Sequence, residues 1–342
     1  MNRKDFLSAV VPVTAVASAF AGDRKKSSED AVYKIPPRLT KGDTVGICCP
    51  SGYISIEDIQ PAVNKFKEWG FNICVGKTVG LRDFTFGGTD EERINDLQDM
   101  LDDPMIKAIM FARGGYGAVR IIDKFIFKKF VVKPKWIIGF SDATVFHSHL
   151  NKNFGIGSIH SKMCNSFPAD WGNAEQVQID SIESIRKCLT GEKINYDVVV
   201  NENNRTGAAE GVLIGGNLSI LENLAGTPSD INTDGKILFL EEVEEYLYNI
   251  DRMLWNLKRT AKFQKLKALI VGGFNHIKPD DPGEEFGRTV YDMILEKVKP
   301  FNYPVCFDFP VGHQKNNFAL KCGVKHKLIV DIAHCSLTEI RS

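Results

Sequence analysis

The stretch Trp136-Ile137-Ile138-Gly139-Phe140-Ser141-Asp142-Ala143 decides how this chain is read. Its apolar start predicts a buried strand, which ends in Gly-Phe-Ser-Asp. A helical segment over 143–150 follows at once. A serine on so sharp a strand-to-helix turn is held out of the sheet, with backbone N–H groups beside it. Gly139 two residues before and Ala143 two residues after leave room for the turn. This is a G-x-S-x-A form of the elbow that presents a nucleophilic serine, whose common form is G-x-S-x-G. Gly-x-Ser-x-small is frequent by chance, so its neighbours carry weight. Upstream stands Arg113-Gly114-Gly115-Tyr116-Gly117, and downstream stand acidic and imidazole candidates for the rest of a triad.

Working outward from the elbow, strands and helices alternate. Residues 43–49 read as a first strand, ending at Pro50-Ser51-Gly52. Residues 56–69 carry helical periodicity: Ile59, Val63 and Phe66 share a face, and Gly70 stops the helix. A strand over 71–75, a helix over 90–101 with an acidic first turn, and a strand over 106–112 precede the glycine-rich loop. The alternation predicts an α/β fold with a mainly parallel sheet covered on both faces. The polar stretch 191–207 reads as a connection, giving an N-terminal domain over 38–190 and a C-terminal α/β domain over 208–342. In the second domain, strands are expected over 211–215, 236–240, 268–273 and 304–309, with terminal β structure over 318–332. Helices are expected over 217–224, 248–263 and 288–298.

With 342 residues, the chain has the length of two α/β domains. Lys+Arg and Asp+Glu both total 43, and this neutral balance argues against a broad nucleic-acid or anionic-membrane footprint. At the N-terminus, Arg3 and Lys4 precede an apolar run over 6–20 and the A-x-A site Ala19-Phe20-Ala21. This reads as a signal peptide over 1–21, cut after Ala21. The run is too short for a confident membrane span, so no stable membrane insertion is expected after its removal. Eight cysteines, at 48, 49, 74, 164, 188, 306, 322 and 335, form no C-x-x-C. They suggest buried free thiols rather than a zinc or thioredoxin-type site.

Ser141 needs a base, because a hydroxyl is a poor nucleophile at neutral pH. His147 and His149 lie on the helix after the elbow, on different faces, which disfavours a joint metal site. His160 and His313 both follow predicted strands, where functional groups gather in an α/β sheet, so spacing does not separate them. Glu241 stands first after the apolar run 237–240 and is the candidate acid that would orient the base. Glu242, Glu244 and Glu245 read as the solvated start of a helix. The loop Gly114-Gly115-Tyr116-Gly117 lacks the order of a phosphate-binding motif. It could offer backbone N–H groups to an oxyanion, together with the N–H of Asp142, or simply make a turn.

The ordered set resembles the LD-carboxypeptidase family of serine peptidases. It comprises Pro50-Ser51-Gly52, Arg113-Gly114-Gly115-Tyr116-Gly117, Gly139-Phe140-Ser141-Asp142, Gly215-Gly216-Asn217-Leu218, Leu240-Glu241-Glu242, Ile250-Asp251-Arg252-Met253-Leu254 and Gly312-His313. The resemblance runs from about residue 38 to the C-terminus. It implies a flavodoxin-like N-terminal domain, a swivelling β/α C-terminal domain and a Ser-His-Glu triad. Ser141 matches the nucleophile, Glu241 the acid and His313 the base, and Gly115 and Asp142 match the oxyanion-hole amides. No metal or other cofactor is implied. The implied substrate is a murein tetrapeptide that loses its terminal D-amino acid; related members hydrolyse microcin-like aminoacyl nucleotides. A homodimer is compatible with the resemblance. The family commonly has His-Gly-Pro-Met after its fifth strand, and here His160-Ser161-Lys162-Met163 stands instead. Lys162 is thereby a candidate partner for a substrate carboxylate. Many members are cytoplasmic, whereas this leader points to export, into the periplasm. An exported solute-binding protein or an inactive murein-binding scaffold is the non-enzymatic alternative, and neither gives Ser141, Glu241 and His313 a reason to converge.

Overall fold

The computed structural model describes Tyr33–Ile340, so the predicted leader lies outside the described residues. The first half contains β1 (Thr44–Cys48), α1 (Gln60–Glu68), β2 (Asn72–Val75), α2 (Asp90–Asp102), β3 (Ile106–Phe111), α3 (Ala118–Ile121), α4 (Lys128–Val132), β4 (Trp136–Gly139), α5 (Thr144–Phe154), β5 (Ser158–His160) and α6 (Gln176–Thr190). The second half contains β6 (Asn195–Val198), β7 (Gly207–Asn217), α7 (Leu218–Asn223), β8 (Ile237–Val243), α8 (Leu247–Arg259), β9 (Ala268–Asn275), α9 (Val290–Val298), β10 (Val305–Cys306), β11 (Leu320–Cys322), β12 (Lys325–Val330) and β13 (Cys335–Glu339).

The first sheet runs β2-β1-β3-β4-β5-β11. β1 to β5 are parallel and follow the flavodoxin order, whose switch point lies between β1 and β3. The inner strands are almost entirely buried, with apolar runs at Ala108–Phe111 and Trp136–Gly139, because both faces of the sheet are covered. α2 starts where Thr89 and Glu92 satisfy each other's backbone N–H groups in a capping box. α1 begins at Gln60, later than the periodicity suggested, with Pro61 in its first turn, where a missing N–H costs nothing.

The second sheet runs β10-β9-β8-β7-β12-β13-β6. β7 to β10 are parallel, and β12, β13 and β6 are antiparallel. Arg205 and Val305 exchange backbone hydrogen bonds of 3.0 Å, so chain following β6 covers the free edge of β10. No helix among the described residues is long and apolar enough to cross a membrane.

Several elements differ from the sequence reading. The connection over 191–207 carries β6, which hydrogen-bonds to β13; its alternation of exposed and half-buried residues was masked by polar composition. β11 leaves its own half of the chain and joins the first sheet antiparallel to β5, making that sheet mixed. β8 continues through Val243, so Glu241 and Glu242 lie within the strand rather than after it. Cys74 is exposed, because it lies on the edge strand β2; the other seven cysteines are buried, and all eight are free thiols.

Candidate active site

β4 is buried along its whole length and delivers Phe140 in an extended conformation. The next residue, Ser141, sits at φ +60°. A side chain in the left-handed region costs on the order of 1–3 kcal/mol and persists only where the surroundings impose it. The imposing contacts are visible. A single turn of 3₁₀ helix over Ser141–Ala143 runs straight into α5, whose positive N-terminal end therefore points toward the serine. A methyl group placed on Gly114 would stand 3.2 Å from the Ser141 Cβ, so the loop after β3 closes over the elbow.

Asp142 anchors this turn. Its carboxylate accepts from the Ser51 hydroxyl at 2.5 Å and from the Ala118 N–H at 2.8 Å. One buried side chain thus ties the elbow to the loops that follow β1 and β3, on either side of the switch point. Burial raises its pKa, while the two hydrogen bonds and the nearby Arg93 guanidinium pull the other way. Ser51 is itself buried and committed to Asp142. The loops also meet directly, through Gly52 N–H donating to the Gly114 carbonyl at 2.9 Å. Gly115 lies exposed beside Gly52.

The second half of the chain supplies an acid–imidazole pair. Glu241 is fully buried, at the point where the β8–β9 ladder slips register. Its Oε2 lies 2.7 Å from His313 Nδ1 and also accepts from the His313 backbone N–H at 3.3 Å. The loop that carries His313 passes very close to the acid. Gly312 has φ +105°, and a methyl group there would stand 2.5 Å from the Glu241 Cβ, so only glycine fits. Asn317 holds the Gly312 N–H at 2.9 Å, and Asn275 holds the His313 carbonyl at 2.9 Å. Burial would lower the His313 pKa, but the hydrogen bond and charge of Glu241, with Glu242 and Glu244 adding, raise it above the usual histidine value.

The two halves meet at this point. The Phe140 ring, next to Ser141, packs on the His313 ring with centroids 4.8 Å apart. Thr144, first residue of α5, accepts the Asn217 N–H at 3.1 Å, and Gly216 lies against its side chain. Lys162 follows β5 and is buried, with its ammonium donating to the Gln314 carbonyl at 3.0 Å. Phe140, Lys162, Glu244, Asn275, His276 and His313 line one cleft of about 630 Å³.

One expectation needs correction. Glu242 is not part of a solvated helix start: it is buried and accepts from the Asn217 side chain at 2.9 Å and the Ser219 N–H at 2.7 Å. It thereby fixes the start of α7, and burial raises its pKa. His160 shares no hydrogen bond with Glu241; its fully buried ring packs edge-on against Phe140 and Phe239. Burial, with His147 and His313 nearby, pushes its pKa well down. His147 bonds Ser158 and the Gly139 carbonyl, and His149 bonds Ser229, so both are structural contacts. Sequence reasoning missed Thr144, whose hydroxyl gives no pattern of its own. Asn217 was visible only as part of Gly-Gly-Asn-Leu.

Comparison with known proteins identifies the family. The LD-carboxypeptidase N-terminal domain matches residues 45–161, and the LD-carboxypeptidase C-terminal domain matches residues 210–328. A probable murein peptide carboxypeptidase of Bacillus subtilis (strain 168) is 30% identical over 306 residues, covering 86% of this chain and 90% of that protein. The murein tetrapeptide carboxypeptidase of Pseudomonas aeruginosa is 28% identical over 285 residues, covering 82% and 91%. The crystal structure of muramoyltetrapeptide carboxypeptidase from Oxalobacter formigenes superposes with a TM-score of 0.77 at 28% identity, covering 87% of this chain and 99% of that one. The chain belongs to the LD-carboxypeptidase family and is a serine carboxypeptidase.

Proposed function

We propose that this enzyme removes the terminal D-alanine from murein tetrapeptides with a triad of Ser141, His313 and Glu241. The Ser141 oxygen attacks the carbonyl carbon of the bond between the L-centre and the terminal D-residue. His313 Nε2 takes the hydroxyl proton and passes it to the leaving amine of the D-amino acid. Glu241 holds Nδ1 protonated and stabilises the imidazolium. The N–H groups of Gly115 and Asp142, at the positive end of α5, receive the oxyanion. Water then releases the acyl group by the reverse proton route. Nothing in this sequence of steps requires a metal ion.

The observation that carries this reading is the pair of buried Glu241 and half-buried His313, delivered by one half of the chain against Phe140, the neighbour of the strained Ser141 in the other half. The names of the relatives support murein peptides as the substrate class. The cleft carries one phenyl ring and two imidazoles among its lining groups rather than an aromatic cage, which favours a peptide over a nucleotide. The leader sequence supports export of the enzyme and action on murein in the periplasm. Mass spectrometry of a purified murein tetrapeptide after incubation with the protein tests the reading. Loss of one D-alanine, absent with Ser141→Ala, is expected; an unchanged tetrapeptide, or equal activity in Ser141→Ala, overturns it.

A further inference from the structure

A lysine ammonium carries three donors and is almost never buried without partners. Lys162 is 8% exposed, and among the described residues its Nζ has one acceptor, the Gln314 carbonyl. A neutral carbonyl does not balance a buried charge. The ammonium lies on the wall of the His313 cleft, where a bound molecule can reach it. The other groups facing that cleft do not offer the same thing. Lys315 is exposed and paired with Glu175, His276 and Glu244 are exposed, and His313 is held by Glu241. Lys162 is thus the buried cation with donors to spare.

We infer that Lys162 is the anchor for the free C-terminal carboxylate of the substrate, and so enforces carboxypeptidase rather than endopeptidase action. This rests on the peptide-cleaving role proposed above. An anion here would complete the hydrogen bonds of the ammonium and restore local charge balance. The Gln314 carbonyl fixes the ammonium before the substrate arrives, so little ordering remains to be done on binding. The same bond joins the loop after β5 to the loop that bears His313, so carboxylate capture and base placement share one support. Burial lowers the pKa of Lys162 to about 8, so the ammonium is charged at neutral pH and loses its proton under mildly alkaline conditions.

Binding and turnover separate this inference from the one it rests on. Dissociation constants for a D-Ala-ending murein tetrapeptide and for its C-terminal amide are measured by calorimetry on Ser141→Ala, with and without Lys162→Met. The acid should bind roughly 10- to 150-fold tighter than the amide, the range of a hydrogen bond to a charged group. That preference should vanish in Lys162→Met and also fade in Ser141→Ala as pH rises through about 8. Lys162→Arg should keep part of it. Lys162→Gln, which can still donate to Gln314, serves if the methionine variant fails to fold. Equal binding of acid and amide, no binding of the acid, or a preference that survives loss of the lysine overturns the anchor. Turnover by the wild-type protein is scored separately: a lysine-dependent preference without cleavage supports the anchor and sinks the proposed reaction.

Discussion

Replacing Glu241 by glutamine keeps the shape of the acid and removes its charge, so it probes the His313 pair with little change in packing. In the native protein the carboxylate accepts from His313 Nδ1 at 2.7 Å and outweighs burial, raising the imidazole pKa. A hydrogen bond between charged groups contributes about 1.5–3 kcal/mol. At about 1.4 kcal/mol per unit, its loss lowers the His313 pKa by roughly 1–2 units. The catalytic base must be neutral, so native activity rises with pH through a value above that of an ordinary histidine. In Glu241→Gln that rise shifts to lower pH, because burial is then opposed only by the charges of Glu242 and Glu244. The plateau should also fall, by about 10³- to 10⁴-fold in kcat. The glutamine amide can turn its NH₂ toward Nδ1 and select the tautomer that leaves no lone pair for the serine proton. Steady-state rates on a tetrapeptide between pH 5 and 9, with circular dichroism as a check on folding, give both readouts. An unmoved acid limb together with a loss in kcat below tenfold would refute the role given to the pair.

Three further outcomes are expected. Ser141→Ala should lower kcat by about 10⁴-fold or more with the fold intact; Ser141→Gly should be equally inactive yet about 1 kcal/mol more stable than the alanine variant, because glycine accepts φ +60°. A glycine variant no more stable in urea unfolding than the alanine one would show that the turn is unstrained. Gly312→Ala should cost at least about 2 kcal/mol and most of the activity, since the new methyl meets Glu241 at 2.5 Å; a fully active variant with native stability contradicts the close approach. Protein isolated from its native host should have the intact mass of a chain starting near Gly22, and retention of residues 1–21 in a cytosolic fraction would count against export.

Much of this was legible because the chemistry of a parallel α/β sheet writes itself locally. Buried stretches such as Ala108–Phe111 and Trp136–Gly139 are unbroken apolar runs, and the elbow needs Gly139 and Ala143 beside its serine. The choice between His160 and His313 could not be made from spacing, since both follow strands. It depends on which loop folds back onto Glu241, a long-range fact that came to the sequence reading only through the family resemblance. The extent of β8 was misjudged for a related reason. Two consecutive glutamates normally end a buried strand, but here each finds donors: His313 for Glu241, Asn217 and Ser219 for Glu242. The place of β11 in the first sheet was not foreseen, because three residues of strand carry no mark of their partner. Thr144 left no trace because its function is a single hydrogen bond to a distant backbone.

These missed features share a location, the seam between the two halves, and that has a consequence for how the site keeps its shape. The serine is oriented by Asp142, which is fixed from the first half through Ser51 and Ala118. Two residues further on, Thr144 is fixed from the second half through Asn217. Asn217 is in turn held by Glu242, the neighbour of Glu241, so the bonds run from the residues around Ser141 to the residues around Glu241. On the other side, Lys162 of the first half holds Gln314, the neighbour of His313. Each half therefore grips the other beside, rather than at, the groups proposed to react, so that in the proposed reaction a proton can pass between Ser141 and His313 while Glu241 keeps its charge and the neighbours bear the load. A site built this way tolerates little relative displacement, because a shift of the halves by one ångström would break both sets of bonds at once. Substitutions along the seam should therefore reduce turnover even where they touch no substrate, and the strand β11, which carries chain from the second half into the first sheet, limits how far the halves can separate.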